Sequence, residues 1–267
     1  MIDLQGMPIV ITGASSGIGA ATAIACARAG MPVGLQARRQ DKLDEMKERI
    51  ERDGGRAVVV AGDVTDPEAS VELIEKTEEA FGDLYGAIAN AGYGLEAESC
   101  TVPVEDVRAI FEVNFYGSMH LVQAAIAKFR ERGSGHAMMV SSGLSKIGVP
   151  YYGAYCATKA AQDHFCRAMR LELHGSGVFV SSVHPVLTKT GFHDAAARKS
   201  GGKLRIGRSS RMQSAETVAS AMVKCLRKPR GEVWTSTGVR LVMGLSVMLP
   251  GVADRLVLRI QNMQRSD

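Results

Sequence analysis

Short apolar runs alternate with longer stretches of helical periodicity along most of the chain, and this alternation constrains the fold more than any other feature. The runs fall at residues 8–12, 33–37, 57–61, 84–89, 136–141 and 178–183. Parallel strands that are covered on both faces have this nearly continuous apolar character. Strands separated by helices indicate βαβ crossovers. The sequence therefore predicts an α/β fold, with one doubly wound parallel sheet and helices on both faces.

Length and composition are those of one large globular domain. The chain has 267 residues, of which 46% are hydrophobic and 22% charged, and this excludes a disordered protein. A net charge of +4 falls short of a nucleic-acid-binding signature. Five cysteines without CxxC spacing predict reduced thiols and no metal site. The first residues lack the features of a signal peptide, so we expect a cytoplasmic protein.

A glycine-rich turn follows the first predicted strand. It comprises Thr12, Gly13, Ala14, Ser15, Ser16, Gly17, Ile18 and Gly19. Glycines permit a tight turn and close backbone approach to a pyrophosphate. The next helix offers unpaired N–H groups and the positive end of its dipole to the same anion. A bare turn is the alternative, but the position between a first strand and a helix favours a dinucleotide site.

The glycine spacing, TGxxxGIG, differs from the common GxGxxG pattern and resembles that of the classical short-chain dehydrogenase/reductase family. The resemblance extends over about residues 8–234 and includes several separate motifs. It implies a Rossmann-type single domain, a nicotinamide dinucleotide that exchanges a hydride, and pairing of subunits into a homodimer or homotetramer.

Two arginines stand where the choice of nicotinamide cofactor is made. An acidic residue near the end of the second strand would bind a ribose 2′-hydroxyl and favour NAD. That position is Ala37, and Arg38 and Arg39 follow it. A guanidinium binds a 2′-phosphate with paired hydrogen bonds. We therefore expect NADP (NADPH), with Arg38 as the stronger contact and Ser15 as a second. A solvated basic pair is the alternative.

Three further segments resemble cofactor-binding motifs of the family. Their matching residues are Asp63, Val64, Asn90, Ala91, Gly92, Pro185, Thr188 and Thr190. The sequence departs from these motifs at Ala89, where the family has Asn, and at Val186, where it has Gly. Asp63 is equally suited to capping a turn.

Tyr155 and Lys159 are four residues apart and would share one face of a helix. An ammonium beside a phenol stabilises the phenolate and lowers its pKa from about 10. Such a tyrosine can exchange a proton with a carbonyl or an alcohol near neutral pH. The surrounding YCATKAA resembles the YxASKAA of the family, which implies that both residues also contact the cofactor.

The resemblance completes a Ser-Tyr-Lys-Asn tetrad with Ser142 and Asn114. Ser142 lies 13 residues before Tyr155, the family spacing, and would hold the substrate oxygen. Ser141 is the second choice, because alternation along a strand would point it the other way. Asn114 lies in NFYG, similar to NxxG, which implies a proton relay from Lys159 to solvent. A solvent-facing Asn is the alternative.

The sequence thus predicts an NADP(H)-dependent oxidoreductase that transfers a hydride between the nicotinamide and a carbonyl or secondary alcohol of a hydrophobic small molecule. The candidate pocket residues are Tyr93, Leu95, Leu144, Tyr151, Tyr152, Leu187 and Phe192. A non-catalytic dinucleotide-binding protein on the same fold is one alternative. A reductase of lipids, steroids or retinoids at a membrane surface is another.

Two late segments break the alternation. Residues 190–213 are rich in Gly, Ser, Lys and Arg and lack periodicity, which predicts a lid over the substrate. Residues 238–258 are apolar, with helical spacing interrupted at Pro250 and Gly251, and are too short to span a bilayer. We expect this segment to pack against a second subunit or the pocket rather than a membrane.

Overall fold

The computed structural model of the chain describes residues 1–190 and 212–265, with side chains up to residue 259. The strands are β1 (Ile9–Thr12), β2 (Val33–Ala37), β3 (Ala57–Ala61), β4 (Gly86–Ala89), β5 (Gly135–Val140), β6 (Val178–His184) and β7 (Glu232–Trp234). The α-helices are α1 (Gly17–Arg28), α2 (Gln40–Arg52), α3 (Pro67–Phe81), α4 (Val104–Phe111), α5 (Gly117–Arg132), α6 (Gly153–Glu172), α7 (Ala215–Arg227), α8 (Thr237–Met248) and α9 (Pro250–Arg265).

All seven strands run parallel in one sheet, in the order β3-β2-β1-β4-β5-β6-β7. The predicted doubly wound fold is confirmed, and each of the six predicted runs contains a strand. The sequence did not predict β7, because three residues are too few for a pattern. The strand order reverses between β1 and β4, which opens a crevice at the carboxyl ends of the strands.

Alternate residues of the strands fill two separate cores, one on each face of the sheet. Ile9 and Ile11 point into the core covered by α1, α2 and α7. Val10, between them, points into the core covered by α3, α5 and α6. This alternation follows from the strand period of two. It explains why the runs are apolar throughout rather than at every second position.

The helical region that runs from α4 to α5 contains a break of a particular kind. A π-helical segment, Glu112–Tyr116, joins α4 to α5 and holds Asn114. Single π-turns inside α-helices occur frequently at functional sites, because the wider turn frees a backbone carbonyl from the usual ladder. Here the π-turn faces α6, the helix of Tyr155 and Lys159.

The two C-terminal helices extend the domain beyond β7. The predicted break is present, since α8 ends at Met248 and α9 begins at Pro250. Within the described ranges, no single helix has the length and apolarity to cross a membrane, although α8 and residues Pro250–Arg259 pass that test as a pair bent by 120°. Most of the predicted lid, residues 191–211, lies outside the described residues.

Candidate active site

Asn90 fastens the glycine-rich turn to the strand next to it. Its amide donates hydrogen bonds to the carbonyls of Thr12 (3.0 Å) and Gly13 (3.3 Å). In return, Thr12 Oγ1 accepts from the backbone N–H groups of Asn90 (3.1 Å) and Ala91 (3.2 Å). These bonds join β1 to β4 where the strand order reverses, so the predicted cofactor segment around Asn90 also holds the turn in shape.

The turn is shaped as a cradle that only small residues can form. A Cβ atom on Gly19 would lie 2.2 Å from the Gly13 carbonyl oxygen and 2.5 Å from the Asn90 amide nitrogen. The N-cap residue of α1, Ser16, makes no side-chain cap hydrogen bond, and the first turn of α1 carries no acidic residue. The backbone N–H groups of this helix end therefore fit the pyrophosphate of a dinucleotide.

The loop after β6 reaches the same cradle. A Cβ on Gly17, whose φ is +56°, would be 3.4 Å from the Thr190 methyl group. Thr188 lies nearby in sequence, and its hydroxyl donates to the Val186 carbonyl (2.6 Å) and accepts from Gln213 (2.9 Å). The structure therefore brings Thr190, at the end of the Pro185–Thr190 motif, next to the glycine-rich turn.

Arg38 and Arg39 follow β2 and are exposed. The Ala14 N–H donates to the Gln36 carbonyl (3.1 Å), which ties the glycine-rich turn to β2 two residues before Arg38. In the described part of the chain, neither guanidinium takes part in an ion pair. Both arginines therefore lie beside the turn, where their charges could bind an anion.

Asp63 is exposed at the end of β3 and shapes a turn. Its Oδ1 accepts hydrogen bonds from the Thr65 backbone N–H and hydroxyl, both at 3.0 Å. Asp66, not Asp63, caps α3, by accepting from the Glu68 N–H. The turn role that the sequence left open is thus present. Val64 is buried and packs against α5, where a Cβ on Gly117 would lie 2.7 Å from its side chain.

Tyr155, Ser142 and Lys159 converge where β5 ends and α6 begins, and all three are buried. The Lys159 ammonium nitrogen lies 5.7 Å from the centroid of the Tyr155 ring. A hydrogen bond joins Ser142 to Tyr155. Ser141 points to the other side, as alternation requires, and its hydroxyl donates to the Lys159 carbonyl (2.7 Å). The arrangement places a hydroxyl, a phenol and an amine together, groups that can hold an oxygen atom and exchange a proton with it.

Burial changes the proton affinity of both titratable groups in this set. Desolvation lowers the pKa of Lys159 to about 7. It also raises the pKa of Tyr155 above its usual value, although the hydrogen bond from Ser142 acts in the opposite direction. On balance the pKa of Tyr155 is therefore raised, not lowered as expected, because removing the phenol from water outweighs the interactions that favour the phenolate.

Asn114 is fully buried in the π-helical segment, so the solvent-facing alternative is wrong. Its side-chain oxygen accepts from the Tyr93 N–H (2.9 Å), and its amide donates to the Tyr93 carbonyl (3.0 Å) and the Thr158 hydroxyl (3.1 Å). The backbone carbonyl of Asn114 accepts from Gln162 on α6 (2.6 Å). The sequence did not single out Gln162. Its signal was an amide one helical turn beyond Lys159, on the same face.

The sequence analysis also missed a partly buried ionic cluster next to Ser142. Lys146 forms ion pairs with Asp163 and with Glu232 (3.3 Å). His184 Nε2 lies 3.4 Å from the Asp163 carboxylate, and His184 Nδ1 lies 3.1 Å from the Ser142 carbonyl. Burial alone would raise the pKa of Asp163, but hydrogen bonds and charges from His184 and Lys146 hold it well below its usual range.

The spacing of Asp163, His184 and Glu232 suits a metal ion, with ligand atoms within 4.8 Å of one another. The Lys146 ammonium already bridges the two carboxylates, however. The Lys146 ammonium thus takes the place of a metal cation between the carboxylates. His184 connects this cluster to the backbone carbonyl of Ser142.

Most of the predicted pocket residues lie together beside Tyr155. Tyr93, Leu95, Leu144 and Tyr152 belong to one apolar cluster with it. Tyr151 has a positive φ of 66°, a strained conformation for a non-glycine residue. Leu187 is half-buried outside this cluster, and Phe192 lies outside the described residues.

Comparisons with known proteins agree with this architecture. The sequence pattern of the family described as short chain dehydrogenase matches residues 8–200. The chain is 28% identical over 263 residues to ketoacyl reductase HetN of Nostoc sp., covering 96% of this chain and 90% of that protein.

Two solved structures share the fold. An alcohol dehydrogenase of Thermococcus sibiricus complexed with 5-hydroxy-NADP is 28% identical, with a TM-score of 0.74, and the match covers 85% of this chain and 95% of that one. A short-chain dehydrogenase/reductase of Burkholderia phymatum in complex with NAD is 23% identical, with a TM-score of 0.83, and the match covers 94% of this chain and 97% of that one. The match of the family pattern, together with the parallel sheet, shows that the chain belongs to the short-chain dehydrogenase/reductase family of oxidoreductases.

Proposed function

We propose that the chain is an NADP(H)-dependent reductase of ketones or aldehydes on apolar small molecules, which also oxidises the corresponding alcohols. The observation that carries this proposal is the convergence of Ser142, Tyr155 and Lys159 at the carboxyl end of β5. This set lies in the same crevice as the glycine-rich turn. The turn, Asn90 to Gly92 and the Pro185–Thr190 loop would hold the dinucleotide.

Each side chain then has a defined task, while the nicotinamide supplies or accepts the hydride when bound. Ser142 donates a hydrogen bond to the substrate oxygen. Tyr155 gives its phenolic proton to that oxygen as it becomes an alcohol. The Lys159 ammonium stabilises the phenolate that remains. The raised pKa keeps the Tyr155 phenol protonated at neutral pH, so it has a proton to give, and the Lys159 ammonium favours the release of that proton.

The preference for NADP(H) rests on charge. No carboxylate stands at position 37 to repel a 2′-phosphate, and the exposed guanidinium of Arg38 lies next to the turn. The related solved structures carry an NADP derivative in one case and NAD in the other, so the choice within the fold depends on such local residues. The apolar substrate class rests on the cluster of Tyr93, Leu95, Leu144 and Tyr152, and is in keeping with the ketoacyl reductase among the relatives.

The test is a screen of ketones, aldehydes and secondary alcohols with NADPH and NADH, in which the nicotinamide absorbance is followed. We expect turnover with NADPH on an apolar carbonyl compound, and its loss by a factor of about 10² to 10⁴ in Tyr155→Phe. Tyr85→Phe is the matched control, since it removes a phenol just before β4, whose hydroxyl donates to the Leu226 carbonyl (3.1 Å), and should keep turnover. Tight NADPH binding without turnover on any compound would favour the non-catalytic alternative.

A further inference from the structure

Gln162 joins two members of the tetrad through its side chain. It is fully buried on α6, three residues after Lys159. The Lys159 ammonium donates to Gln162 Oε1 at 3.0 Å. At the other end of the same amide, Gln162 Nε2 donates to the Asn114 backbone carbonyl (2.6 Å) and to the Ser118 hydroxyl (2.7 Å).

The chemistry of the partners fixes the orientation of this amide. An ammonium can only donate and a backbone carbonyl can only accept, so the oxygen of Gln162 must face Lys159 and its nitrogen must face Asn114. Lys159 donates a second hydrogen bond to the Val140 carbonyl at 2.8 Å. Two neutral oxygens therefore hold the ammonium in position. Hydrogen bonds to the charged form of a group favour that form.

We propose that Gln162 is a positioning residue for the reaction, which fixes the Lys159 ammonium in place and keeps it protonated by linking it to the π-helical segment of Asn114. This inference rests on the proposed function. An amide N–H is too weak an acid to pass a proton on, so Gln162 holds Lys159 and does not conduct protons from it. The Gln162 side chain thus connects the Asn114 backbone carbonyl to the Lys159 ammonium.

The groups around Lys159 indicate that the Gln162 amide has a main influence on whether Lys159 is protonated. Tyr155, on the same helix, faces it, with its ring centroid 5.7 Å from the ammonium nitrogen. Asp163, also on α6, is engaged by Lys146 of the 3₁₀ helix Gly143–Lys146 and by His184 of β6. Among the described residues, no carboxylate forms an ion pair with Lys159.

The test replaces Gln162 with Leu and follows the titration of Lys159 directly, by NMR of isotope-labelled lysine side chains in the full chain. Burial lowers the pKa of Lys159 to about 7, within the range of an ordinary titration. We expect Gln162→Leu to move this titration down by about one pH unit, the effect of losing one hydrogen bond to a charged group. The high-pH limb of the carbonyl-reduction profile should move down with it.

Two more variants separate charge from packing. Ser118→Ala removes the other polar side chain that Gln162 contacts but leaves the bond to Lys159, so the Lys159 titration should stay where it is. Gln162→Glu keeps an oxygen beside Lys159 and adds a negative charge, so the titration should move up. If Gln162→Leu does not fold, the Lys159 titration in Gln162→Glu is sufficient to test the proposal.

An unmoved Lys159 titration in Gln162→Leu and Gln162→Glu would overturn the proposal, as would an equal shift in Ser118→Ala. The NMR titration needs no turnover. A wild-type chain without reductase activity would therefore count against the proposed function, whereas an unmoved titration in an active enzyme would count against Gln162 alone.

Discussion

The contact around Gly19 is the tightest in the glycine-rich turn and gives a test in which the magnitude follows from the geometry. A Cβ at this position would lie 2.2 Å from the Gly13 carbonyl oxygen and 2.5 Å from the Asn90 amide nitrogen. Gly19→Ala must therefore push the turn away from β4. The overlap costs about 1–3 kcal/mol. The two hydrogen bonds from Asn90 to the turn add about 1 kcal/mol each when they break.

The sum is a destabilisation of about 3–5 kcal/mol, or about 6–20 °C in Tm for a domain of this size. Thermal unfolding followed by circular dichroism measures the Tm, and a fluorescence titration with NADPH measures binding, which should be lost with the shape of the turn. Asn90→Ala removes the same two bonds without the overlap and should cost only about 2 kcal/mol.

Gly244→Ala is the control, because an added Cβ there meets no atom within 4 Å. It lies inside α8, so the Tm should stay level or rise slightly, since Ala favours a helix over Gly by about 1 kcal/mol. A Gly19→Ala variant with the Tm and the NADPH affinity of the wild type would refute the reasoning about the cradle.

Three other predictions follow from the charges and the exposed surface. Arg38→Ala should weaken NADPH binding by about 1.5 kcal/mol, the lower end for a charge-assisted hydrogen bond because the arginine is exposed, and leave NADH binding unchanged in the same titration; equal loss for both would remove the 2′-phosphate argument. Asp163→Asn should lower the free energy of unfolding near neutral pH by about 2–4 kcal/mol, because it leaves Lys146 and His184 without their shared carboxylate. The low pKa of Asp163 stabilises the fold above pH of about 4 and ceases to do so on acidification, so denaturant curves of variant and wild type should converge at low pH. Truncation after Thr237 should change the oligomeric state measured by light scattering; unchanged size with loss of binding to anionic vesicles would instead favour the membrane alternative.

The sheet could be predicted from the sequence because burial on both faces leaves a simple pattern. Runs that are apolar throughout are required where Ile9 and Val10 point into different cores. The site residues were found for a different reason, namely that each motif lies at a strand end. The carboxyl ends of β1, β4, β5 and β6 then bring Gly13, Asn90, Ser142 and Thr188 to one edge.

What the sequence did not reveal depends on contacts between elements distant in the chain. The π-turn at Asn114 is stabilised by Gln162, which is 48 residues away, so no local pattern marks it. The bond from Gln162 to Lys159 needs the rotamers of a packed helix interface. The short β7 becomes a strand only because β6 pairs with it. The exposed surface of α8 was predicted only as an apolar stripe, and Leu241, Leu245 and Met248 are exposed in the described chain.

Two lysines near Ser142, the partly exposed Lys146 and the buried Lys159, have different roles, one structural and one chemical. Lys146 faces two carboxylates, Asp163 and Glu232, so its charge is balanced locally and contributes little field beyond the cluster. Among the described residues, the hydrogen-bond acceptors of Lys159 are neutral oxygens, those of Val140 and Gln162. An unbalanced buried charge is costly, and its reduced pKa records that cost. The field of Lys159 is therefore available to stabilise a new negative charge, and the group within its reach that can acquire one is the phenol of Tyr155.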